Sequence, residues 1–439
     1  GARQLGGRYF GRNWTHSYEW RLDTQFGSSG NGVRVTDPRG REYLFEDDGG
    51  NWRLERPTWA TATLTEANGN FLFTEPDSER IIAIRASDGL VQYVENRNGN
   101  RQTLHYISGF LSAIVDNYGN RVVFEYNASN RVAAVYLPGN GGPNGRGLEV
   151  QYGYDNGVLT TVTAPGEVTT TYDYIPDRES EALMVARWRG DDVQRRWVYD
   201  EENRVAVSWP TSGGTFEYAY DGDNVTVTLP DGSSTRELIH DDDGALLSIT
   251  DGLGGVDRFE YDAYGRRAAW IDRAGRRTEW LHHLASGKVS RIVQPGGFTW
   301  EFLIAPHSSA AGFVFHDVVR AQYPDDSSVR FDFDNNGNLV AFEDAENFRW
   351  LYSYDADGAI QDATSPVGGV TRYTRDAFGY LETITNPAGN VLAGVGCSGF
   401  AMATTAKCFS AGATGCRRNA SSLPPRRLRN SVTTPPTGW

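Results

Sequence analysis

Apolar and polar residues alternate in short runs along this chain, and the runs recur at a fixed interval. Leu247 and Ile249, for example, are interleaved with Ser248 and Thr250. A period of two places alternate side chains on one face of a β-strand. Many runs end on two aromatic residues with one residue between them: Phe124/Tyr126, Trp197/Tyr199, Tyr218/Tyr220, Phe259/Tyr261, Phe331/Phe333 and Tyr352/Tyr354. Each pair therefore shares a face. A turn signal follows directly, as in Tyr261-Asp262-Ala263-Tyr264-Gly265. The interval is 21 residues. It separates Tyr199-Asp200 from Tyr220-Asp221, and Asp241 with Gly244 from Asp262 with Gly265. It also separates Asp334, Asp355 and Asp376, the middle one preceded by Tyr354, and likewise Gly337, Gly358 and Gly379. Degenerate copies begin at Tyr106, Tyr126, Tyr154 and His282, the last with one extra residue before Gly287.

Each unit has a physical reading. Asp opens a tight turn by accepting bonds from the backbone N–H groups ahead of it. Gly three residues later supplies a positive φ that closes a short, bulged hairpin loop. A strand follows, then a second turn such as Asp272-Arg273-Ala274-Gly275 or Asn386-Pro387-Ala388-Gly389-Asn390. The return strand carries the aromatic pair. One hairpin cannot bury its apolar face alone, so neighbouring units must stack. The expectation is an all-β array of antiparallel hairpins. The segment from Glu179 to Trp188 has a helix-compatible composition but reads as strand and turn. The glycines from Gly139 to Gly147 read as a long loop, and the stretch between His307 and His316 as a loop inserted within a repeat.

Composition sharpens this picture. Of 439 residues, 12% are aromatic and 50 are glycine, which excludes wholesale disorder. No apolar run approaches the length of a membrane helix. A net charge of −14 argues against a nucleic-acid partner. The three cysteines, Cys397, Cys408 and Cys416, all lie near the C-terminus, at spacings that match no zinc pattern. From Gly394 onward there is no acidic residue, while Lys407, Arg417, Arg418, Arg426, Arg427 and Arg429 are all basic. Two readings of this stretch stand open: a solvated basic arm, or translation out of frame after about Val391. The chain thus divides into residues 1–80, which lead into the array, a repeat region over 81–390, and a basic low-complexity tail over 391–439.

The Tyr-Asp-x-x-Gly units with a Gly-centred second turn resemble the YD repeats of the Rhs family of bacterial polymorphic toxins, toxin-complex subunits and animal teneurins. Gly11-Arg12-Asn13-Trp14-Thr15-His16-Ser17-Tyr18-Glu19-Trp20-Arg21-Leu22 is similar to the segment that leads into the repeats of that family, and Asp37 to Phe45 to its first hairpin. The resemblance implies that the hairpins form one long strip that spirals into part of a hollow β-shell. It implies a non-catalytic shell segment that encapsulates and delivers a C-terminal toxin in interbacterial competition. The implied partners are the chain's own C-terminal core and toxin domain, and a secretion-apparatus spike (type VI secretion) or chaperone. The implied location is secreted or at the bacterial cell surface, and no export leader follows Gly1. The family's cleavage core carries Asp-Pro-x-Gly near its end, whereas Asp37-Pro38-Arg39-Gly40 sits at the opposite end and reads as a hairpin turn. Autoproteolysis is therefore not carried over.

The remaining chemistry points the same way. Asp241-Asp242-Asp243 and Asp325-Asp326 are the densest carboxylate clusters, which a glycosidase could use, yet they occupy turn positions. Asp355-x-Asp357 and Asp221-x-Asp223 lack the bidentate Glu of a calcium loop. His282 and His283 are adjacent on a strand and point to opposite faces, so His282 reads as the Tyr position of its repeat. His16 is expected on a strand between Trp14 and Tyr18. No catalytic residue, cofactor or metal is predicted. The site residues predicted are structural: Tyr199, Asp200, Tyr220, Asp221, Asp241, Gly244, Tyr261, Asp262, Gly265, Asp334, Gly337, Tyr354, Asp355, Gly358, Asp376 and Gly379. The alternative is a cell-surface adhesion or carbohydrate-binding module that stacks glycans on the aromatic rows. Resequencing across codon 391 separates the two readings of the tail: Tyr-Asp-x-x-Gly units continuing in another frame identify a frameshift, and an unbroken frame ending at Trp439 makes the tail a native segment.

Overall fold

A computed structural model describes residues 9–26, 32–76, 78–139, 142–176, 182–241, 244–309 and 312–393, with backbone alone at 26, 139, 142–146 and 393. These residues form thirty-five strands and no α-helix. Strands β1 (Arg21–Phe26), β2 (Gly32–Thr36), β3 (Glu42–Asp47) and β4 (Trp52–Arg56) make a four-stranded sheet of their own. The turn between β2 and β3 is the Asp37-Pro38-Arg39-Gly40 segment, where the Gly40 amide donates to the Asp37 carbonyl at 2.9 Å. Every later strand, from Thr63–Ala67 to Val391–Ala393, belongs to one antiparallel strip. The strip thus begins inside the 1–80 stretch. Each strand pairs with its neighbours in sequence, and no register among the described residues joins the last strand back to the first. The strip is open-ended in its hydrogen bonding and is not a closed barrel.

The turns on its two edges differ. On one edge lie the Tyr-Asp turns. Asp262 Oδ1 accepts from the amides of Tyr264 and Arg266, each at 2.9 Å, and the Gly265 amide donates to the Asp262 carbonyl at 2.9 Å. Gly265 has φ +81°, a conformation that costs a residue with a Cβ. Where glycine is missing on this edge, Asn130 and Asn203 take the positive φ instead. Asp200, Asp334, Asp355 and Asp376 each accept two amides in the same way. Asp241 accepts the Ala245 amide at 2.8 Å, while Asp242 and Asp243 lie outside the described residues. Asp221 ends its strand at a two-residue loop and pairs with Asn224. The opposite edge carries the return turns. Most Tyr-Asp hairpins contain a β-bulge: Glu260 pairs with Ala269 but Tyr261 with Arg267. The same slip recurs at Tyr126, Tyr199, His240, Phe333 and Tyr354. The return-turn hairpin from Ala269 to Glu279 stays in register. A bulge bends its strand and increases its twist. Bulges concentrated on one edge, with register shifts on the other at Tyr136–Gly139 and Arg187/Trp188, therefore curve the strip.

The repeat tyrosines fasten these bulges. Tyr261 Oη donates to the carbonyl of Leu246 at 2.8 Å, fifteen residues upstream. Leu246 is the residue paired with His240 at the preceding bulge. Tyr106, Tyr126, Tyr174, Tyr199, Tyr220 and Tyr354 make the same fifteen-residue bond. Arg375, at a tyrosine position, reproduces it through Nη1 to the Ile360 carbonyl. Tyr154 reaches back 22 residues to Val132, because the hairpin between them is longer. That hairpin, strands Val132–Gly139 and Gly142–Asp155, corrects the loop expected near Gly139–Gly147. The stretch between His307 and His316 is likewise a regular hairpin, Thr299–Ser308 with Val314–Gln322. Tyr261→Phe, which removes the hydroxyl and keeps the ring, is expected to cost about 1 kcal/mol. Urea unfolding followed by tryptophan fluorescence measures the loss.

Candidate functional site: the aromatic face and the seam

The aromatic pairs line one face of the strip. Over its first half this face is covered by residues 9–20, an irregular segment and not the strand expected around His16. Its path crosses several strands. Trp20 packs on Phe73, Tyr9 on Tyr126, Phe10 on Tyr152 and Trp14 on Tyr172, with ring centroids 4.9 to 6.1 Å apart. Trp14 Nε1 donates to Tyr174 Oη at 2.9 Å, and Tyr18 Oη to Gln102 Oε1 at 2.7 Å. The Val132 amide donates to the Tyr9 carbonyl at 2.9 Å. At Gly11, φ +89°, a Cβ would stand 2.8 Å from the Gly157 carbonyl oxygen, so only glycine fits this crossing. The four-stranded sheet adds Tyr43 and Phe45 against Phe73. Burial raises the Tyr174 hydroxyl to about 12, against a smaller opposing effect of the Trp14 bond, so it is a protonated donor at neutral pH.

The strip also meets itself. Its Tyr-Asp turns from residue 262 onward lie against the return turns of residues 57–120. Thr58 Oγ1 donates to the Tyr264 carbonyl at 3.2 Å, 206 residues away, and Asn120 Nδ2 to the Phe378 carbonyl at 2.9 Å, 258 residues away. Three of the sequence-predicted glycines sit in this seam. Arg97 Nη2 donates to the Gly337 carbonyl at 2.7 Å, and a Cβ would stand 3.1 Å from Asn98 at Gly358 and 2.7 Å from Tyr118 at Gly379. Asn98 Nδ2 bonds Asn338 Oδ1.

Charged groups clasp the seam. Arg97 Nη1 lies 2.6 Å from Asp317 Oδ1 and 3.5 Å from Glu79 Oε2. Lys288 Nζ lies 3.0 Å from Glu79 Oε1, and the His316 amide donates to the same oxygen at 3.2 Å. His307 Nδ1 is 3.2 Å from Asp317 Oδ2, and the rings of His283 and His316 are 5.6 Å apart. The His316 pKa is held below the usual imidazole value, first by burial and then by His283, with Lys288 and His307 adding and Glu79 opposing. The extended hairpin carries His307 and Asp317 across the edge to Arg97.

The predicted structural residues are thus spread along one edge and are not gathered at a point. Tyr199, Tyr220, Tyr261 and Tyr354 donate to carbonyls at the preceding bulge, and the aspartates hold turns. His282 takes the tyrosine position and pairs with Val289 at a bulge. Asp325 Oδ1 is taken by Ser327, and Asp326 adopts φ +66° in the same turn. Sequence reasoning missed Glu79, Arg97, Lys288 and Asp317. One signal was available: Lys288 is one of only two lysines.

Residues 240–278 and 354–391 match the RHS Repeat family. The chain carries RHS repeats in these two places. Among solved structures, it is similar to a TcdB2-TccC3-Cdc42 crystal structure at 13% identity and TM-score 0.47, over 82% of this chain and 22% of that one. It is also similar to a Photorhabdus luminescens Tc holotoxin pore structure at 13% identity and TM-score 0.46, over 82% of this chain and 21% of that one. The chain spans about a fifth of the length of these structures.

Two measurements follow from this geometry. Arg97→Ala leaves Asp317, 7% exposed, without its guanidinium, at a cost of about 3 kcal/mol. Hydrogen exchange should show the Gly337 and Gly358 amides losing protection while those of Tyr218 and Tyr220 keep it. His16 is packed among Tyr9, Phe10 and Phe124, and burial lowers its pKa from 6.5 to about 4. It is therefore neutral in the fold, while the unfolded ring protonates first as pH falls. Its contribution is complete above pH 6.5 and declines toward pH 4, by about 3 kcal/mol at most. Urea midpoints between pH 7.5 and 4.5 should fall less steeply in His16→Gln than in the parent.

Proposed function

We propose that this RHS-repeat chain is a non-catalytic shell segment, which encloses a polypeptide cargo and shields it during delivery as a toxin between bacteria. The observation that carries this reading is the seam. A strip whose later turns bond to its own earlier turns, 206 to 258 residues away, makes a continuous wall. The carboxylates support the non-catalytic part, because those in the Tyr-Asp turns spend their lone pairs on turn amides. One structure it resembles is that of a Tc holotoxin pore, and this reading extends that setting to a secreted or surface-exposed product of a bacterium. A C-terminal toxin domain and core are the proposed partners, with a secretion spike or chaperone for export.

A second reading has one observation in its favour: Trp270 on the aromatic face is 38% exposed, as a sugar-stacking residue would be. Titration with cell-surface oligosaccharides separates the two. The enclosure reading is tested by limited proteolysis of the intact product from its native source. Its cargo polypeptide should resist a trypsin pulse that digests it once Arg97→Ala and Asp317→Ala have opened the seam. Equal digestion rates before and after opening would overturn enclosure.

A further inference from the structure

Titratable groups are concentrated at one place on the seam. Of the seven histidines, His283, His307 and His316 lie there, and so does Lys288, one of two lysines. Two late elements face the early return turns at this place. The turn from His283 to Lys288 meets them through Thr61, whose Oγ1 donates to the Ser286 carbonyl at 3.3 Å, and through Glu79, which receives Lys288. The hairpin of Thr299–Ser308 and Val314–Gln322 meets the same Glu79 through the His316 amide, and meets Arg97 through Asp317. Lys288 Nζ also donates to the His316 carbonyl, so turn and hairpin are tied to each other as well as to Glu79. The rings of His283 and His316 face one another at this junction, with centroids 5.6 Å apart, and both are half-buried.

The charges around this pair balance only while its rings are neutral. Lys288 and Arg97 bring two positive charges, and Glu79 and Asp317 two negative ones, over contacts of 2.6 to 3.5 Å. Glu75 and Arg80, in the same turn as Glu79, pair with each other at 2.8 Å. A proton on His307 would be met by Asp317, 3.2 Å from its Nδ1. The Nδ1 of His283 lies instead 2.9 Å from a hydroxyl, that of Ser286. A proton on His316 would find Glu79 already holding Lys288 and Arg97. Burial and then the His283 ring hold the His316 pKa below 6.5, which is the direction expected where a second like charge is disfavoured. The opened form therefore takes up the proton first. The closed seam has its full stability above pH 6.5 and loses it as pH falls.

We infer that this junction is a proton-sensitive clasp: charging the His283–His316 pair in mild acid parts the seam between residues 61–97 and 283–317 while the strip stays paired hairpin to hairpin. The hairpins are joined by backbone ladders, whose groups do not titrate in this range, so acid opens the wall and not the fold. Release of a cargo on acidification rests on the enclosure reading; the clasp itself does not.

The reporter is the His316 amide, whose acceptor is Glu79 Oε1 across the seam. Hydrogen exchange of the full chain is followed at pH 7.5 and at pH 5.5, with rates corrected for the intrinsic effect of pH on exchange. Protection at His316 should fall roughly three- to tenfold between the two, while that of Tyr218 and Tyr220 stays constant. The double variant His283→Gln, His316→Gln keeps His16 and loses both titrating rings, so its His316-position amide should show no such fall. The single variant His283→Gln, which leaves the hairpin unaltered, should show a smaller fall than the parent and covers the case in which the double variant does not fold. Constant protection at His316 in the parent overturns the inference. So does a fall of equal size in either variant, or an equal fall at Tyr218 and Tyr220, which would mark global unfolding. A flat profile with cargo still protected from trypsin removes the clasp and leaves enclosure intact. Acid opening of the seam, with cargo digested equally before and after Arg97→Ala and Asp317→Ala, removes enclosure and leaves the clasp.

Discussion

A hydroxyl that reaches back fifteen residues holds this architecture together. A β-bulge leaves ladder groups without their usual partner, and an unpaired backbone carbonyl is costly once buried. The repeat tyrosine of the next unit donates to the residue that sits at the bulge, as Tyr261 does to Leu246 and Tyr354 to Leu339. Each unit thereby stabilises the distortion in the one before it. Because the distortion recurs regularly on the Tyr-Asp edge, the fastening also fixes the sense in which the strip bends. The seam, the covered aromatic face and the clasp around Arg97 all presuppose that bend.

The two edges of the strip divide the labour. The Tyr-Asp edge carries most of the bulges, and its turn carbonyls at Tyr264, Gly337 and Phe378 are acceptors. The early return turns offer mainly donors and filler, Arg97, Asn98, Tyr118 and Asn120, with Glu79 as an acceptor for Lys288 and the His316 amide. Their meeting is a pairing of unlike edges, which gives the winding a polarity. The later return turns carry Pro295, Pro324, Pro366 and Pro387 at the position that Arg97 and Asn117 hold in the early ones. Proline withholds an N–H, a familiar means of making an edge unreceptive.

The periodic part of this structure was legible in the sequence because it is local. Twenty-one-residue spacing, Asp-x-x-Gly turns and aromatic pairs all concern residues that meet within one or two hairpins. The all-β strip, the turns at Asp262 and Asp355 and the tyrosine position of His282 follow from that. What escaped was aperiodic. Arg97 reads as one more turn residue until the strip brings Asp317 to it, 220 positions later. The longer hairpins at Val132–Asp155 and Thr299–Gln322 broke the period and so resembled loops. His16 sits in a short apolar-polar run that mimics a strand, but its neighbours Gly11 and Trp14 are shaped by the face beneath them, which no local pattern encodes.

The seam also orders events during synthesis. Hairpins need only their immediate neighbours, so each can form as soon as its 21 residues have left the ribosome, at local-contact speed. The bond between Thr58 and Tyr264 cannot form until some two hundred further residues have been made. For that whole interval the early return turns present their donors to an unfinished molecule. Winding is therefore a late, directional step that proceeds from the N-terminus, and a ribosome pausing before Tyr264 would hold the chain as a strip with nothing yet to close upon.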